Sequence, residues 1–557
     1  MRITTTKWGQ WVTVLAVCGV NFFLHAGAPE VSLMEARNLV AAREMVAGGS
    51  WLIPTMNGEL RLAKPPLPTW AVAAWQQLIG PTEDLGLLRV PAGLAATLLV
   101  LFFWGLAREL TRPAPGEARH PGRTAWLAAL VLASSLLVVT TGREGQWDIF
   151  ATSLMMGSLW LLVRGWQRPR RAWRPLLGAG ALAGLSLLSK GPVAVYALLL
   201  PFVGAYLLTQ AQHRRQVKRH GWATLAAGIV ALLLGGSWPV YIWQEVAPVA
   251  LKVARTEMSS WGERHVQPLW YYWSFFAFTG LWALVALASL IMPYARPRAG
   301  RFIPYAVALG WVLGGVVLLS LVPEKKERYM LPLMPALALL SAGMLRYWET
   351  TLGAARPRPD AWLVRGWGSL LTVVFAALPV AMVLSHLPGL GWATPRFILG
   401  ALLFGGLASW VCGWGVRRSN VGVLISATLV GVAAIIALLA PAYPLWEARK
   451  QTPGLRRMAA MRTVAGLAGL ATWRSLDTLP IKQVWAAGRT VAVWYPTADT
   501  LQALRKPVAV FSASPITTRL PVGWDTRVRV TPLDTFFLGR DPQSGYWFVS
   551  RLDPILE

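Results

Sequence analysis

The sequence predicts an α-helical integral membrane protein that ends in a small α/β domain. Three observations support this fold class. First, 55% of the 557 residues are hydrophobic and only 14% are charged, whereas a soluble domain carries about a quarter charged residues. Second, apolar stretches of about 20 residues, long enough to cross a bilayer, recur along most of the chain. Third, the composition becomes mixed after Ala440, where short strand-like patterns appear.

Thirteen apolar segments come near the length that a membrane-spanning helix needs. Several of them are short, so the predicted count is about thirteen. The first segment follows Arg2 and Lys7 and has no cleavage site leading into a soluble domain, which predicts an uncleaved anchor rather than a signal peptide. In chain order the candidate spans are 9–25, 88–107, 125–141, 148–163, 175–188, 192–209, 222–238, 271–292, 302–321, 331–345, 367–384, 397–416 and 421–440.

The basic residues indicate the orientation of these spans. The chain has 53 Lys and Arg against 25 Asp and Glu, but they occur in short clusters between apolar segments, which argues against a nucleic-acid partner. Every second connection carries such a cluster, as cytoplasmic loops do. We therefore expect a multi-pass protein of the bacterial inner membrane, with its odd-numbered connections and its C-terminal domain in the periplasm. The inward clusters are Arg108, Arg112, Arg119 and Arg123; Arg164, Arg168, Arg170, Arg171 and Arg174; Arg214, Arg215, Lys218 and Arg219; Arg296, Arg298 and Arg301; Arg346, Arg356, Arg358 and Arg365; and Arg417 and Arg418.

Two domains are expected, 1–440 in the membrane and 441–557 outside it. The first outward loop, 26–87, is too long for a simple turn. It contains an amphipathic helix at 35–48 and an apolar stretch at 68–79 that is too short to span, and we expect both to lie along the membrane surface. In the C-terminal domain the pattern predicts strands at 490–495, 507–512 and 546–552, with a helix at 499–506 between the first two.

The outward loops carry many polar residues for so apolar a chain. The first loop has an acid, Glu35, at the start of its helix, followed by a W-x-x-P-x-x-N-G turn and a K-P-P-L segment. This arrangement resembles the first periplasmic loop of the GT-C glycosyltransferases, in their protein-mannosyltransferase-like and aminoarabinose-transferase-like branch. The matching residues are Trp51, Pro54, Asn57, Gly58, Lys64, Pro65, Pro66 and Leu67.

Later loops resemble the same family. Asp148 stands at the top of a helix, as an acid does in the family's second outward loop, and Lys190 lies in an L-x-K-G-P turn. His265 precedes the eighth predicted span, and Arg328 and Tyr329 lie in a K-x-x-R-Y-x-x-P loop. The resemblance covers most of the first 345 residues. It implies that 1–440 is a GT-C type catalytic domain and that 441–557 is a periplasmic α/β domain.

The resemblance implies an enzyme that moves a sugar from an undecaprenyl-phosphate-linked donor to a periplasmic acceptor. The acceptor could be lipid A, another envelope glycan or a protein. The leaving lipid phosphate needs cations and hydrogen-bond donors, and an attacking hydroxyl needs a base or an orienting carboxylate. The implied phosphate-binding residues are Lys64, Lys190, Arg328 and Tyr329, with Arg264 as a further candidate, and the implied catalytic carboxylates are Glu35 and Asp148.

Two departures from the family pattern affect this interpretation. The family's first acid is usually Asp, but Met34 occupies that position, so Glu35 or Glu30 takes the role or activity has been lost. The residue before the K-P-P lysine is Ala63, which leaves His265 without an obvious carboxylate partner for a metal. The sequence therefore points to no definite cofactor and leaves a divalent metal ion at His265 as an open alternative.

Structural roles for single residues and other protein classes stay open. Lys190 could reach the interface from a helix end, Asp148 could cap its helix, and His265 could pack at the interface. A lipid or sugar transporter is the main competing class, although transporters usually place ionisable groups at mid-membrane depth. A catalytically impaired GT-C scaffold is the other alternative, because of Met34.

Overall fold

A computed structural model describes residues 6–168, 172–263, 265–352, 358–448, 454–464, 466–537 and 545–555. Arg170, Arg171, Arg264 and Arg356 lie outside these ranges. The chain divides into two compact units, here called the membrane unit and the second unit. The membrane unit comprises Met1–Pro29, Ala63–Pro68 and Arg89–Leu445, and the second unit comprises Glu30–Leu62, Thr69–Leu88 and Trp446–Glu557.

The protein is predominantly α-helical. Short π- or 3₁₀-helical turns extend several helices, such as Gly19–Phe23 after the first one and Glu327–Leu333 before the sixteenth. In chain order the α-helices are α1 (Lys7–Cys18), α2 (Leu33–Val46), α3 (Leu67–Ile79), α4 (Leu85–Leu88), α5 (Val90–Thr111), α6 (Arg123–Ala133), α7 (Leu136–Gly142), α8 (Trp147–Gln167), α9 (Trp173–Lys190), α10 (Leu200–Thr209), α11 (Ala211–Arg219), α12 (Gly221–Glu263), α13 (Ala283–Leu290), α14 (Met292–Ala299), α15 (Tyr305–Leu321), α16 (Met334–Thr351), α17 (Arg358–Leu384), α18 (Pro395–Trp410), α19 (Val421–Leu439), α20 (Tyr443–Ala448), α21 (Gly454–Ala460), α22 (Ile481–Ala486) and α23 (Ala498–Gln502).

The membrane unit contains many helices that can cross a bilayer. In the described part of the chain, eight helices are long and apolar enough, and two bent pairs raise the number to ten if each pair is one span. The bent pairs are α6 with α7, and the segment Val195–Thr209 with α11. This confirms an integral membrane protein with many spans, although eight to ten candidates are fewer than the thirteen predicted.

Burial distinguishes central helices from peripheral ones. The span Glu327–Thr351 has 89% of its apolar window buried, whereas Gly221–Thr256 has 22%. Helices α5, α8, α9 and α12 pack in that order, each against the next. Close approach depends on small residues, as in other membrane bundles: a Cβ on Gly180 of α9 would lie 2.3 Å from the Ala227 carbonyl oxygen of α12.

The second unit is built on a five-stranded mixed sheet. Its strands are β3 (Thr472–Ser475), β4 (Val491–Val493), β5 (Val508–Ser512), β6 (Val528–Phe537) and β7 (Tyr546–Pro554), and a separate short hairpin joins β1 (Thr55–Met56) to β2 (Glu59–Leu60). The sheet order is β4-β3-β5-β7-β6. β3 runs parallel to β4 and β5, and β7 runs antiparallel to β5 and β6.

The predicted strands and helix of the C-terminal segment are present as β4, β5, β7 and α23. β3 and β6 were not predicted. β3 has only four residues, too few for a clear alternating pattern. β6 is one of the two edge strands and contains Pro532 at a register shift, and proline in a run of strand-forming residues normally argues against a central strand.

Helix α2 is a core element of the second unit. Glu35 and Asn38 are fully buried beside apolar residues on every side of the helix, and only Leu33 is exposed. The polar residues of α2 are thus buried or half-buried, and its predicted place along the membrane surface stays a prediction. Its apolar residues share one core with α3 and the sheet, including Leu39, Val72, Met458, Trp473 and Val484. Whether α3 lies along a membrane surface stays a prediction.

Polar contacts fix the first loop to the C-terminal segment within this unit. The Asn57 side chain donates to the carbonyl oxygen of Val491 at 2.8 Å and accepts from its N–H at 2.7 Å. Arg43 donates to the carbonyls of Val484 and Arg489 at 3.1 and 3.2 Å. Burial lowers the pKa of Arg43 to about 10, so it stays charged at neutral pH. The W-x-x-P-x-x-N-G turn thus docks on β4.

These contacts group most of 26–87 with the C-terminal segment. The sequence-based division, in contrast, assigns that loop to a domain ending at residue 440. Compact packing units and functional domains need not coincide, so the division at 440 stays a prediction.

Replacing Asn57 with alanine should loosen the docked turn. The change leaves the N–H and C=O of Val491 without their side-chain partner, a loss of about 1–3 kcal/mol for a buried polar group. Hydrogen exchange at the Val491 amide should accelerate by about tenfold or more. Glu59→Ala, two residues away on an exposed strand, is the matched control. Unchanged exchange in Asn57→Ala would show that the turn is not held by this contact.

Candidate active site

Asp148 lies in the first turn of α8 and is largely buried. An acid is favourable there, because the helix N-terminus carries partial positive charge. α9 packs against α8, and its last residue is Lys190, where a cation is favourable for the opposite reason. Gly191, with a φ of 70°, ends α9 immediately afterwards.

Asp148 and Lys190 form an ion pair between the two helix ends. The Lys190 ammonium donates to Oδ1 of Asp148, and the two side chains are only 9% and 10% exposed. Charges so poorly hydrated are stable only when they are paired. One oxygen of the Asp148 carboxylate, Oδ1, therefore already accepts a hydrogen bond from Lys190.

Arg328 and Tyr329 reach the same place from the 3₁₀ turn before α16. Arg328 Nε lies 3.8 Å from Oδ2 of Asp148, and its Nη1 donates to the Gln146 side-chain oxygen at 3.3 Å. The ring of Tyr329 is 4.9 Å from the Lys190 ammonium and 5.7 Å from the Arg328 guanidinium, both within cation–π range. The two predicted phosphate-binding residues thus stand beside the Asp148–Lys190 pair.

The extended segment before Arg328 adds two charged residues. Side chains alternate in an extended backbone, so Glu324 and Lys326 face the site together and form an ion pair. Glu324 also accepts from the Tyr329 hydroxyl at 3.3 Å. Lys325 faces the other way and donates to the carbonyls of Val322 and Gln267. Glu324 and Lys326 were not predicted as site residues.

Neighbouring residues keep the carboxyl group of Glu324 negatively charged. Burial alone would raise the pKa of Glu324, but the hydrogen bond and positive charge of Lys326 outweigh burial and hold that pKa below its ordinary value of 4.5. A depressed carboxyl pKa contributes stability that is fully present above the unfolded pKa and is lost as the pH falls through the folded one. The Glu324–Lys326 pair therefore persists at neutral pH and weakens only in acid.

Lys64 belongs to the same region of the membrane unit. Its charge acts on both Lys190 and Glu324. The lysine of the K-P-P segment is thus brought together with residues from three later loops. The resulting group, here called the Asp148 cluster, consists of Lys64, Asp148, Lys190, Glu324, Lys326, Arg328 and Tyr329.

The Asp148 cluster is net positive. It holds four cations and two carboxylates, and the cations still outnumber the acids when the adjacent Glu144, which bonds Gln146, is counted. The Nε–H of Arg328 is buried and makes no hydrogen bond to the described residues. Such a site can hold an anion with several oxygens.

The backbone of His265 contacts the backbone of the loop that carries Glu324. Its carbonyl accepts from the Lys325 N–H at 3.1 Å, and Val266 pairs with Glu324. The side chain is exposed, and the backbone φ is 51°. Among the described residues, no group of three or more His, Cys, Asp or Glu could hold a metal ion. A metal or acceptor role for His265 stays a prediction.

Glu35 is placed in the second unit. It is the third residue of α2 and forms a capping box with Ser32: the Ser32 side chain accepts from the Glu35 N–H at 3.3 Å, and the Glu35 carboxylate accepts from the Ser32 N–H at 3.4 Å. Met34 precedes it, with its sulfur 3.7 Å from Arg37 Nη1. The catalytic role of Glu35 stays a prediction.

Comparisons with known proteins agree with the loop motifs. The family model of dolichyl-phosphate-mannose-protein mannosyltransferases matches residues 63–243. An undecaprenyl phosphate-alpha-4-amino-4-deoxy-L-arabinose arabinosyl transferase of Sodalis glossinidius is 27% identical over 444 residues, which are 74% of this chain and 72% of that protein. The transferase of the same description from Pseudomonas aeruginosa is 27% identical over 448 residues, 76% and 73% of the two chains.

The fold matches a solved structure along almost the whole chain. The crystal structure of ArnT from Cupriavidus metallidurans bound to undecaprenyl phosphate superposes with a TM-score of 0.66, covering 98% of both chains at 18% identity. At that identity the match establishes the fold alone.

The fold and the comparisons support a membrane glycosyltransferase that is similar to members of the GT-C superfamily. It is a multi-pass protein of the bacterial inner membrane. Its similarity is to the aminoarabinose transferases in particular, which confirms the resemblance carried by the loop motifs.

The Asp148–Lys190 pair should dominate the stability of this region. Removing one partner, by Asp148→Asn or Lys190→Met, leaves a largely buried charge without its nearest opposite charge and should cost about 3 kcal/mol in the free energy of unfolding. The double variant should cost clearly less than the sum of the two single variants. Unfolding in a detergent mixture measures all three.

An exposed ion pair provides the control for these three variants. Arg457 is 54% exposed and pairs with Asp534 at 2.7 Å, so Arg457→Ala should change the free energy of unfolding by no more than about 1 kcal/mol. Additive effects of Asp148→Asn and Lys190→Met would mean that the two side chains do not stabilise each other.

Proposed function

We propose that this protein transfers a sugar from a polyprenyl-phosphate donor to a periplasmic acceptor and that the Asp148 cluster binds the donor phosphate. The observation that carries the proposal is the convergence of four cations around Asp148, with the buried Nε–H of Arg328 left unbonded among the described residues. A phosphate provides the complementary charge and the acceptor oxygens. The similar ArnT fold with undecaprenyl phosphate bound supports the choice of carrier.

The reaction places its greatest electrostatic demand on the leaving group. The bond between the anomeric carbon and the phosphate oxygen breaks, a new bond forms to the acceptor oxygen, and the acceptor's proton passes to a base. The donor is a phosphate diester with one negative charge, and the released polyprenyl phosphate carries a second. Cations held in place before the reaction stabilise this growing charge without reorganisation.

Each residue of the Asp148 cluster has a distinct part in the proposal. Lys64, Lys190 and Arg328 hold the phosphate, and the Tyr329 ring fixes two of these cations through its face. Asp148 orients Lys190 and Arg328, because its two carboxylate oxygens face those two side chains. This role uses the carboxylate as an orienting group rather than as the base.

Glu35 is the proposed base for the acceptor hydroxyl. Its capping box fixes the carboxylate at the start of α2, and a rigid support is what a catalytic group requires. Met34 removes the neighbouring acid that the family usually has. We propose that the single acid is sufficient, with Glu30 as the alternative.

We further propose thirteen spans with the active site in the periplasm. The eight clear spans and two bent pairs are joined by three marginal helices: α1 with its π-helical turn, α9, and the 17-residue α15. Together they coincide with all thirteen predicted segments. The basic connections then all face the cytoplasm.

The donor to test first is undecaprenyl phosphate-linked 4-amino-4-deoxy-L-arabinose, the sugar in the names of the similar transferases. Purified protein with this donor and lipid A should release undecaprenyl phosphate and form glycosylated lipid A. Lys64→Ala, Lys190→Ala and Asp148→Asn should each lower the rate by about 100-fold or more, the scale of losing one electrostatic group. Glu35→Gln should cost a similar factor, within the range for a general base.

Exposed residues of the second unit provide controls for these variants. Lys506→Ala and Asp499→Asn repeat the charge changes at exposed positions and should keep parental rates. Parental rates in Lys64→Ala, Lys190→Ala and Asp148→Asn would refute the site assignment. An inactive parent that becomes active as Met34→Asp would instead identify an impaired scaffold.

The orientation can be tested with an impermeant thiol reagent in a variant lacking Cys18 and Cys412. Val522 is 99% exposed in the second unit, so Val522→Cys should be labelled from the periplasmic side. Arg119→Cys, exposed on a basic connection, should be labelled only after the membrane is opened. Labelling of both from the same side would contradict the odd number of spans.

A further inference from the structure

A second pocket lies near the opposite end of α8. It has a volume of about 860 Å³, within the range of about 300–1,000 Å³ typical of small-ligand sites. The ends of α5 and α8, the start of α1 and the connection after α5 form its wall. Its charged lining residues are Lys7, Arg108, Glu109, Arg112, Glu117 and Arg164.

This pocket is separate from the Asp148 cluster. Asp148 and Arg164 are sixteen positions apart on α8, and a rise of about 1.5 Å per residue makes this roughly 24 Å. That distance is most of the thickness of the hydrocarbon core, about 30 Å. The pocket therefore lies towards the other membrane surface.

The pocket has an excess of unpaired positive charge. Glu109 pairs with Arg164 at 3.8 Å. Glu117 is engaged within the protein: it accepts the Gly122 N–H at 2.7 Å and lies 3.8 Å from Arg346 Nε.

The other cations that line the pocket are not neutralised by nearby carboxylates. In the parts of the chain that the structure covers, Lys7, Arg108 and Arg112 have no carboxylate within ion-pair distance. Arg108 and Arg112 are exposed. The pocket therefore suits an anion.

The wall of the pocket formed by α5 lies on the same side of that helix as an exposed apolar stripe. Leu94 and Leu98 on α5 are 50% and 43% exposed. At about 100° per residue they share a helix face with Gly105 and Arg112. A Cβ on Gly105 would lie 2.5 Å from the Trp160 indole, so the glycine lets that ring pack directly against α5. A ligand with both an anionic head and apolar chains fits this arrangement.

We propose that this pocket binds the phosphodiester headgroup of an anionic membrane phospholipid, with the acyl chains along the Leu94–Leu98 face of α5. The unpaired cations recognise the phosphate, and the apolar stripe distinguishes a lipid from a soluble anion. Basic pockets between membrane helices are suited to such headgroups. The site is independent of the sugar-transfer reaction.

Native mass spectrometry of the full chain in detergent tests the proposal with four probes: phosphatidylglycerol, phosphatidylcholine, inorganic phosphate and undecaprenyl phosphate. Phosphatidylglycerol should bind the parent about tenfold or more tighter than phosphatidylcholine. The variant Arg108→Gln/Arg112→Gln should bind phosphatidylglycerol roughly 30-fold more weakly, because each basic residue contributes about a fivefold factor. Its unfolding midpoint in lipid-free detergent should match the parent.

The control Arg119→Gln/Arg214→Gln removes the same charge from exposed arginines that do not line the pocket. It should bind phosphatidylglycerol as the parent does. Equal weakening in both double variants would indicate surface charge alone and overturn the proposal. Displacement of phosphatidylglycerol by inorganic phosphate at similar concentration would identify a soluble-anion site. Tighter binding of undecaprenyl phosphate, lost only in Arg108→Gln/Arg112→Gln, would identify a carrier-lipid site instead.

Discussion

The pairing of Asp148 with Lys190 is the constraint on which the active site depends. Both charges are about nine-tenths buried in an apolar chain, where neither would be tolerated alone. The pair is placed by two antiparallel helices, and each partner stands at the helix end that favours its charge. With these two side chains fixed, Arg328 and Tyr329 can add further positive charge beside them. The site can therefore be net positive and still folded.

The first loop has two distinct functions in this fold. Its K-P-P lysine joins the membrane unit, whereas its W-x-x-P-x-x-N-G turn is bound into the second unit by Asn57. A motif shared with other glycosyltransferases thus need not consist of catalytic residues. Asn57 has a φ of 59° and forms hydrogen bonds with both backbone groups of Val491. The backbone geometry of the turn and these two hydrogen bonds therefore account for an asparagine at this position of the motif. The polar residues of this loop are explained partly by docking and partly by chemistry.

The sequence predicted a membrane protein with many helical spans, and it singled out most residues of the Asp148 cluster, because both depend on local patterns. Lys190, Asp148 and Arg328 each lie where an apolar helix begins or ends, so their loops could be recognised. Glu324 and Lys326 were missed as site residues, although the alternation of an extended backbone could have separated them from Lys325. The docking of Asn57 on Val491 joins residues 434 positions apart, and no local pattern carries that information. The core position of α2 was missed for the same reason.

Helix α8 connects the two charged regions of the membrane unit. Asp148 in its first turn is compensated by Lys190, and Arg164 in its last turn is compensated by Glu109. Both charges are favourable with respect to the helix dipole, so α8 can be polar at both ends while its middle stays apolar and 78% buried. The length of the helix, rather than any direct contact, keeps the two regions about 24 Å apart. An anion at one end therefore makes no contact with the residues that would bind an anion at the other.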